Sequence, residues 1–172
     1  MMKYVFAAAV LALSACGPST TTSATAENDS VMREIAKGEK QDAAQVEAAQ
    51  TTPSGLTIQF QRRGPDQTLP RPTAEAMVRV HYEGRLVSNN TIFDSSFQRN
   101  EPADFPLGAV VPGFAEAIEQ MRPGDELVAT LPANLGYGAR GMPPQIPPNS
   151  DLRFRIRLIA FQEPNGPVVG HP

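Results

Sequence analysis

From Leu56 onward the chain alternates. Leu56, Ile58 and Phe60 take turns with Thr57, Gln59 and Gln61, then Val78, Val80 and Tyr82 with Arg79, His81 and Glu83, and Leu127, Ala129 and Leu131 repeat the pattern. A period of two puts successive side chains on opposite sides of a pleated backbone, so each segment reads as a strand with one buried face and one wet face. The clearest run is Leu152, Phe154, Ile156 and Leu158 against Arg153, Arg155 and Arg157. One segment changes period: Phe114, Ala117, Ile118 and Met121 recur at helical spacing after Pro112-Gly113, and Pro123-Gly124 stops them. Several antiparallel strands and one amphipathic helix predict an α+β domain, a curved antiparallel sheet of about five strands wrapped around one short α-helix.

The 172 residues have room for one such domain with flanking segments. Ser54-Gly55 supplies a turn before the first alternating run, and Phe161 lies near the end of the last, which bounds the domain at residues 51–163. The Pro- and Gly-rich residues 164–172 are expected to be a disordered tail. Ahead of the domain, residues 17–27 are small and polar, with nothing to bury. Residues 29–50 have helical composition and Asp29 or Ser30 to cap a start, but Val31, Ile35 and Val46 make no stripe and Gly38 interrupts them. Residues 16–50 are therefore expected to form a flexible or weakly helical tether.

The first residues read as an export signal. Lys3 precedes an apolar run from Tyr4 to Leu13 that ends in Leu13-Ser14-Ala15-Cys16. A helix over residues 4–15 would reach only about 18 Å at 1.5 Å per residue, short of the roughly 30 Å hydrocarbon core of a bilayer. Leu13 occupies the third position before Cys16, where an ordinary cleavage site has a small residue. The tetrapeptide instead resembles the lipobox of bacterial lipoproteins. That resemblance implies a lipoprotein signal peptide over residues 1–15 and acylation of Cys16, with multiple chains giving a stable anchor at about 0.8 kcal/mol per buried methylene. Gly17 is not the aspartate that retains such proteins at the inner membrane, so the expected location is the outer membrane, facing the periplasm.

Charge and composition remove several classes of function. A net charge of -3 with 15 basic residues, and no basic patch along the chain, argues against a nucleic-acid surface. The single cysteine excludes an intramolecular disulfide framework. With His81 on the strand face opposite Tyr82, and His171 in the tail, no metal site or hydrolase triad has enough members.

What remains is a dispersed set of apolar, aromatic and turn residues: Val80-His81-Tyr82-Glu83-Gly84, Phe93-Asp94-Ser95-Ser96, Val110-Val111-Pro112-Gly113-Phe114, Gly136-Tyr137-Gly138, Ile146-Pro147-Pro148 and Leu152-Arg153-Phe154. Taken singly, Tyr82 and Phe154 are core residues, Asp94 is a turn aspartate and Gly136-Tyr137-Gly138 is an aromatic turn. Their joint order, over roughly 110 residues from Ser54-Gly55-Leu56 to Leu158, resembles the FKBP family of peptidyl-prolyl isomerases.

The resemblance implies an FKBP-like fold, proline-containing polypeptides as substrates and no cofactor. It assigns Tyr82, Phe93 and Phe154 to the aromatic walls of a cleft, Phe114 to its floor, and Val110 and Val111 to its lining. The backbone N–H of Val111 and the hydroxyl of Tyr137 are expected to hold substrate carbonyls. Asp94 is expected to meet the twisting carbonyl while held by Tyr82 and Arg99, and Ile146 to pack from an overhanging loop. Ala103, Met142 and Gln145 depart from the best-known human member and make the expected rim more open and more polar, which leaves macrolide binding a separate question from activity. Residues 29–50 are short for the dimerising helix of the macrophage infectivity potentiator branch, and the chain lacks the inserted domain and His-rich tail of the SlyD branch. A non-enzymatic proline-peptide-binding or chaperone module on the same fold is the alternative.

Overall fold

The computed structural model describes residues 46–170. The expected signal peptide, Cys16 and the tether as far as residue 45 lie outside the described residues, as does His171. The chain runs through β1 (Gln50–Thr51), β2 (Thr57–Arg62), β3 (Met77–Leu86), β4 (Ile92–Ser95), α1 (Ser96–Arg99), β5 (Ala103–Pro106), α2 (Pro112–Glu119), β6 (Glu126–Leu131), β7 (Leu152–Gln162) and β8 (Val168–Gly170). Single 3₁₀ turns at Leu107–Ala109 and Ala133–Leu135 lead into α2 and out of β6.

All strand pairs are antiparallel, in the order β1-β2-β6-β7-β3-β4. Two further strands attach to this path: β5 pairs with Met77 to Val80 of β3, on the edge that β4 occupies farther along at Glu83 to Arg85. A single edge is thus covered by two four-residue strands with α1 between them. Strands this short offer two inward positions each, too few to show a period, so the alternation had marked β2, β3, β6 and β7 and not β4 or β5. The one-turn helix α1 is likewise additional to the single helix expected.

The inward residues of the long strands are the core. Leu56, Val78, Val80, Leu127, Ala129, Leu131, Leu152, Ile156 and Leu158 are fully buried, with Phe114, Ala117, Ile118 and Met121 of α2 and its C-terminal turn set against them. Pro112 at the first turn of α2 carries the fixed φ a helix start requires. Gly113 permits the close approach of helix to sheet, since a Cβ there would lie 2.6 Å from the Leu131 side chain.

Both ends of the domain differ from the sequence expectation. Glu47 donates its N–H to the Phe60 carbonyl at 2.9 Å and its carboxylate takes Arg63 at 2.6 and 2.8 Å, so attachment to the sheet begins before residue 51, within the segment read as tether. Residues 164–170 do not fray. Asn165 takes a left-handed turn, Gly166 N–H closes on the Glu163 carbonyl at 3.0 Å, and Val168 to Gly170 pairs with Ala160 to Gln162. The partnerless stretch of β7 beyond the end of β6 supplies this pairing edge, which composition cannot reveal.

Between α2 and β6 sits a buried carboxylate. Asp125 accepts from the N–H of Gly64 at 2.6 Å, the amide of Gln67 at 2.9 Å, the N–H of Arg122 at 3.0 Å and the guanidinium of Arg63 at 3.4 Å. Full burial of a carboxylate is tolerated because donors surround both oxygens. The site ties the segment after β2 to the turn that follows α2.

Candidate active site

Inward-facing aromatic residues at one end of the sheet do not meet in a closed core. They surround a cleft of about 280 Å³ lined by Tyr82 from β3, Phe93 and Asp94 from β4, Phe105 from β5, Ala109 to Val111 ahead of α2, Phe114 on α2, Tyr137 and Met142 from the loop after β6, and Phe154 from β7. The rings interlock edge to face: Phe93 with Phe154 at 5.6 Å, Phe114 with Phe154 at 5.1 Å, Tyr82 with Phe114 at 6.1 Å and Tyr82 with Phe105 at 5.5 Å between centroids. This arrangement sets the positive edge of one ring on the negative face of the next, which fixes the walls.

One charged group lies in this apolar surround. Asp94 accepts a short hydrogen bond from the Tyr82 hydroxyl and an ion-paired one from Arg99 Nη1 at 2.6 Å, while Arg99 Nη2 donates to the Tyr82 oxygen at 3.3 Å. The one-turn helix α1 makes this triangle: Ser95 caps it by accepting the Gln98 N–H at 3.2 Å, and Asn100 ends it in a left-handed conformation, which returns Arg99 over Asp94 five residues back. Burial pushes the Asp94 carboxyl up, but hydrogen bonds from Tyr82 and Arg99 outweigh it and hold the group below its ordinary value. Burial, then the bond to Asp94, raises the Tyr82 hydroxyl. Tyr137 is raised by burial and, secondarily, by the field of Asp94. The cleft therefore holds a carboxylate anion between two neutral phenols at neutral pH.

Two donors face this space without protein partners. The Tyr137 hydroxyl and the Val111 N–H make no hydrogen bond among the described residues, although the Val111 carbonyl receives the N–H groups of Phe114 and Ala115 at 3.0 and 3.2 Å. A substrate carbonyl can be taken by each.

The cleft gathers Tyr82, Phe93, Asp94, Val110, Val111, Phe114, Tyr137 and Phe154 from the sequence-predicted set. Arg99 stands beside it and reaches it through Asp94. Ala103, expected at the rim, and Ile146, expected to pack from the overhanging loop, stand behind the lining. Ala103 packs on the core from β5, and Phe105, two residues on along the same face, reaches the cleft in its place. Ile146 is 1% exposed, and its backbone pairs with Met142 at 2.8 and 2.9 Å, so it braces the loop from which Met142 covers the cleft. Ala109 was also missed; it carries no side-chain chemistry that a sequence could advertise. His81 lies on the outer face, 3.2 Å from the Ser96 hydroxyl and stacked on Phe97.

The family model described as FKBP-type peptidyl-prolyl cis-trans isomerase matches residues 69–159, more than half of the chain. The FKBP-type isomerase FkpA of Aeromonas hydrophila is 40% identical over 145 residues, covering 83% of this chain and 52% of that protein. The isomerase Mip of Coxiella burnetii is 41% identical over 113 residues, 66% of this chain and 47% of that one. The chain spans about half the length of these curated relatives. Among solved structures, a peptidyl-prolyl cis-trans isomerase from Pseudomonas syringae pv. tomato superposes with a TM-score of 0.60 at 30% identity, over 82% of this chain and 98% of that one. FkpA from Escherichia coli does so at 0.60 and 31%, over 87% and 65%. The fold is thus the one these isomerases share.

Proposed function

Because the chain belongs to the family of FKBP-type peptidyl-prolyl cis-trans isomerases, we propose that its cleft accelerates rotation about X-Pro bonds in polypeptides. The observation that carries this reading is the pairing of an apolar, ring-walled cleft with two donors partnerless among the described residues, Val111 N–H and Tyr137 hydroxyl, and one braced carboxylate, Asp94.

Amide rotation needs no bond to break. The barrier of about 18 to 20 kcal/mol is the loss of resonance between nitrogen and carbonyl, and uncatalysed X-Pro bonds take tens to hundreds of seconds to cross it. The planar amide is the more polar form and is the better solvated one. Transfer into a cleft walled by Tyr82, Phe93, Phe114 and Phe154 exchanges that solvation for fixed protein groups. Tyr137 and Val111 hold flanking carbonyls, which leaves the proline ring seated on Phe114 and the preceding carbonyl free to turn towards Asp94. Interactions that form only in the twisted state lower the barrier, and a millionfold effect requires about 8 kcal/mol from all of them together. Arg99 positions Asp94 from beside the cleft, and Tyr82 both walls the cleft and holds that carboxylate through its hydroxyl.

The clients proposed are exported proteins during folding, and the enzyme's place is a membrane surface outside the cytoplasm. Leu13-Ser14-Ala15-Cys16 supports this, with Cys16 as the acylated anchor at the outer membrane and residues 17–45 as the tether. Proline-limited refolding and peptide isomerisation assays test the activity; binding of proline peptides with no rate enhancement over background would leave a recognition module instead. Mass spectrometry of the mature N-terminus tests the anchor, and a Cys16→Ala variant that still sediments with membranes after export would remove it.

A further inference from the structure

The face of the sheet turned away from the cleft carries a charge opposite to that of the chain. Antiparallel pairing sets Arg153, Arg155 and Arg157 of β7 beside Arg85, Glu83 and His81 of β3 on one side, and beside Thr130, Val128 and Glu126 of β6 on the other. Arg79 and Arg62 extend the field at its ends, Arg62 reaching Glu126 at 3.9 Å. Six arginines share this surface with three carboxylates, Glu83, Glu126 and Asp104, each of which already holds an arginine at 2.6 to 2.8 Å. Asp151 at the margin accepts the N–H of Ala133 at 2.9 Å. With Asp151 counted, the surface has an excess of two positive charges in a chain whose net charge is -3. Arg153 and Arg157 are exposed and make no ion pair or side-chain hydrogen bond among the described residues.

The shape of the patch restricts its partner. Alternate residues along β7 lie about 6.7 Å apart and neighbouring strands about 4.8 Å apart, so the cations spread over a broad face and not along a groove. Val128 and Thr130 between them are half-buried, Phe97 of α1 lies half-buried under Arg155 and against His81, and Met77 stands exposed beside Arg79. A wide, shallow cationic surface with a few apolar side chains at its margin fits a planar field of anionic headgroups, whose acyl boundary takes such side chains, better than one extended acidic segment, and arginine forks match phosphate oxygens two at a time.

We infer that the outer face of the sheet docks the domain onto an anionic lipid surface through Arg153 and Arg157, leaving the cleft on the helix side open to the polypeptides it acts on. The inference rests on the membrane-located reading above, to which it adds an orientation. Each arginine near an anionic bilayer contributes roughly 1 kcal/mol, enough to orient a tethered domain though not to anchor a free one.

The test is flotation of the full chain, carrying Cys16→Ser and made without acylation, with vesicles of phosphatidylcholine alone or of an equal mixture with phosphatidylglycerol. The same chain with Arg153→Gln and Arg157→Gln isolates the face from any contribution of residues 1–45. The expected result is association with the mixed vesicles only, lost at molar salt, and on the order of tenfold weaker in the double variant. Equal association of parent and double variant overturns the inference, as does binding to soluble polyglutamate without binding to mixed vesicles. Whether Cys16 is acylated is read separately by mass spectrometry, so the anchor and the docking face fail independently.

Discussion

Gly84 stands directly opposite Phe154 across the β3–β7 ladder, and its missing side chain makes room for the cleft wall. A Cβ at position 84 would come within 2.9 Å of the Phe154 ring and 2.5 Å of the Phe93 ring. The edge-to-face contact of Phe93 with Phe154 therefore passes over a glycine, and the two rings are positioned by an absence on a third strand.

Gly84→Ala is expected to displace both rings. Overpacking of this kind costs about 1 to 3 kcal/mol, and the displaced wall should lower kcat/KM by about tenfold. Thermal unfolding and a peptide isomerisation assay on the same sample check it; unchanged activity would mean that the Phe93–Phe154 wall does not act on substrate.

Tyr137→Phe should separate binding from stability. The hydroxyl has no partner among the described residues, so its removal leaves the melting temperature close to that of the parent. If the hydroxyl takes a substrate carbonyl, one neutral hydrogen bond of about 1 kcal/mol is lost and kcat/KM falls roughly fivefold. A kinetic comparison with an unchanged rate would place the carbonyl elsewhere.

The acid limb of stability should belong in part to Asp94. Burial raises its pKa, hydrogen bonds from Tyr82 and Arg99 lower it more, and the net value lies below the ordinary 3.8. A depressed folded-state pKa contributes stability that is complete above the unfolded value and disappears as pH falls through the folded one. Denaturation midpoints between about pH 2 and 5 should fall less steeply in Asp94→Asn than in the parent. Since burial holds Tyr82 and Tyr137 neutral above their ordinary 10.0, kcat/KM should be flat from about pH 5 to 9.

Asp125→Ala should damage the fold and spare the chemistry. Removing the carboxylate strands the buried N–H of Gly64 and the donors of Arg122, Gln67 and Arg63. The expected loss is about 3 kcal/mol or more, read from chemical denaturation, with the rate per folded molecule unchanged under native conditions. A stable but inactive variant would contradict the separation of this corner from the cleft.

The sequence by itself determined which side of each long strand is buried, because alternation is a local property of a pleated backbone and needs no knowledge of the partner strand. It also bounded the helix between Pro112-Gly113 and Pro123-Gly124, although the helix itself closes earlier, at Glu119, and Met121 packs from the turn beyond it. Which inward residues line the cleft was a tertiary decision. Ala103, Phe105 and Ile146 are all apolar or small and turned inward, yet Phe105 reaches the cleft while Ala103 and Ile146 support it, because the path of β5 and the bridge from Ile146 to Met142 set the distance to α2. The arginine face was a tertiary decision as well. Alternation already sets Arg153, Arg155 and Arg157 on one face of their strand, but Arg62, Arg79 and Arg85 are scattered along the chain, and only antiparallel pairing brings them onto the same surface. Periodicity fixes the face a side chain takes within its own strand, while neighbours distant in sequence are set by register, which depends on the whole sheet closing around its helix.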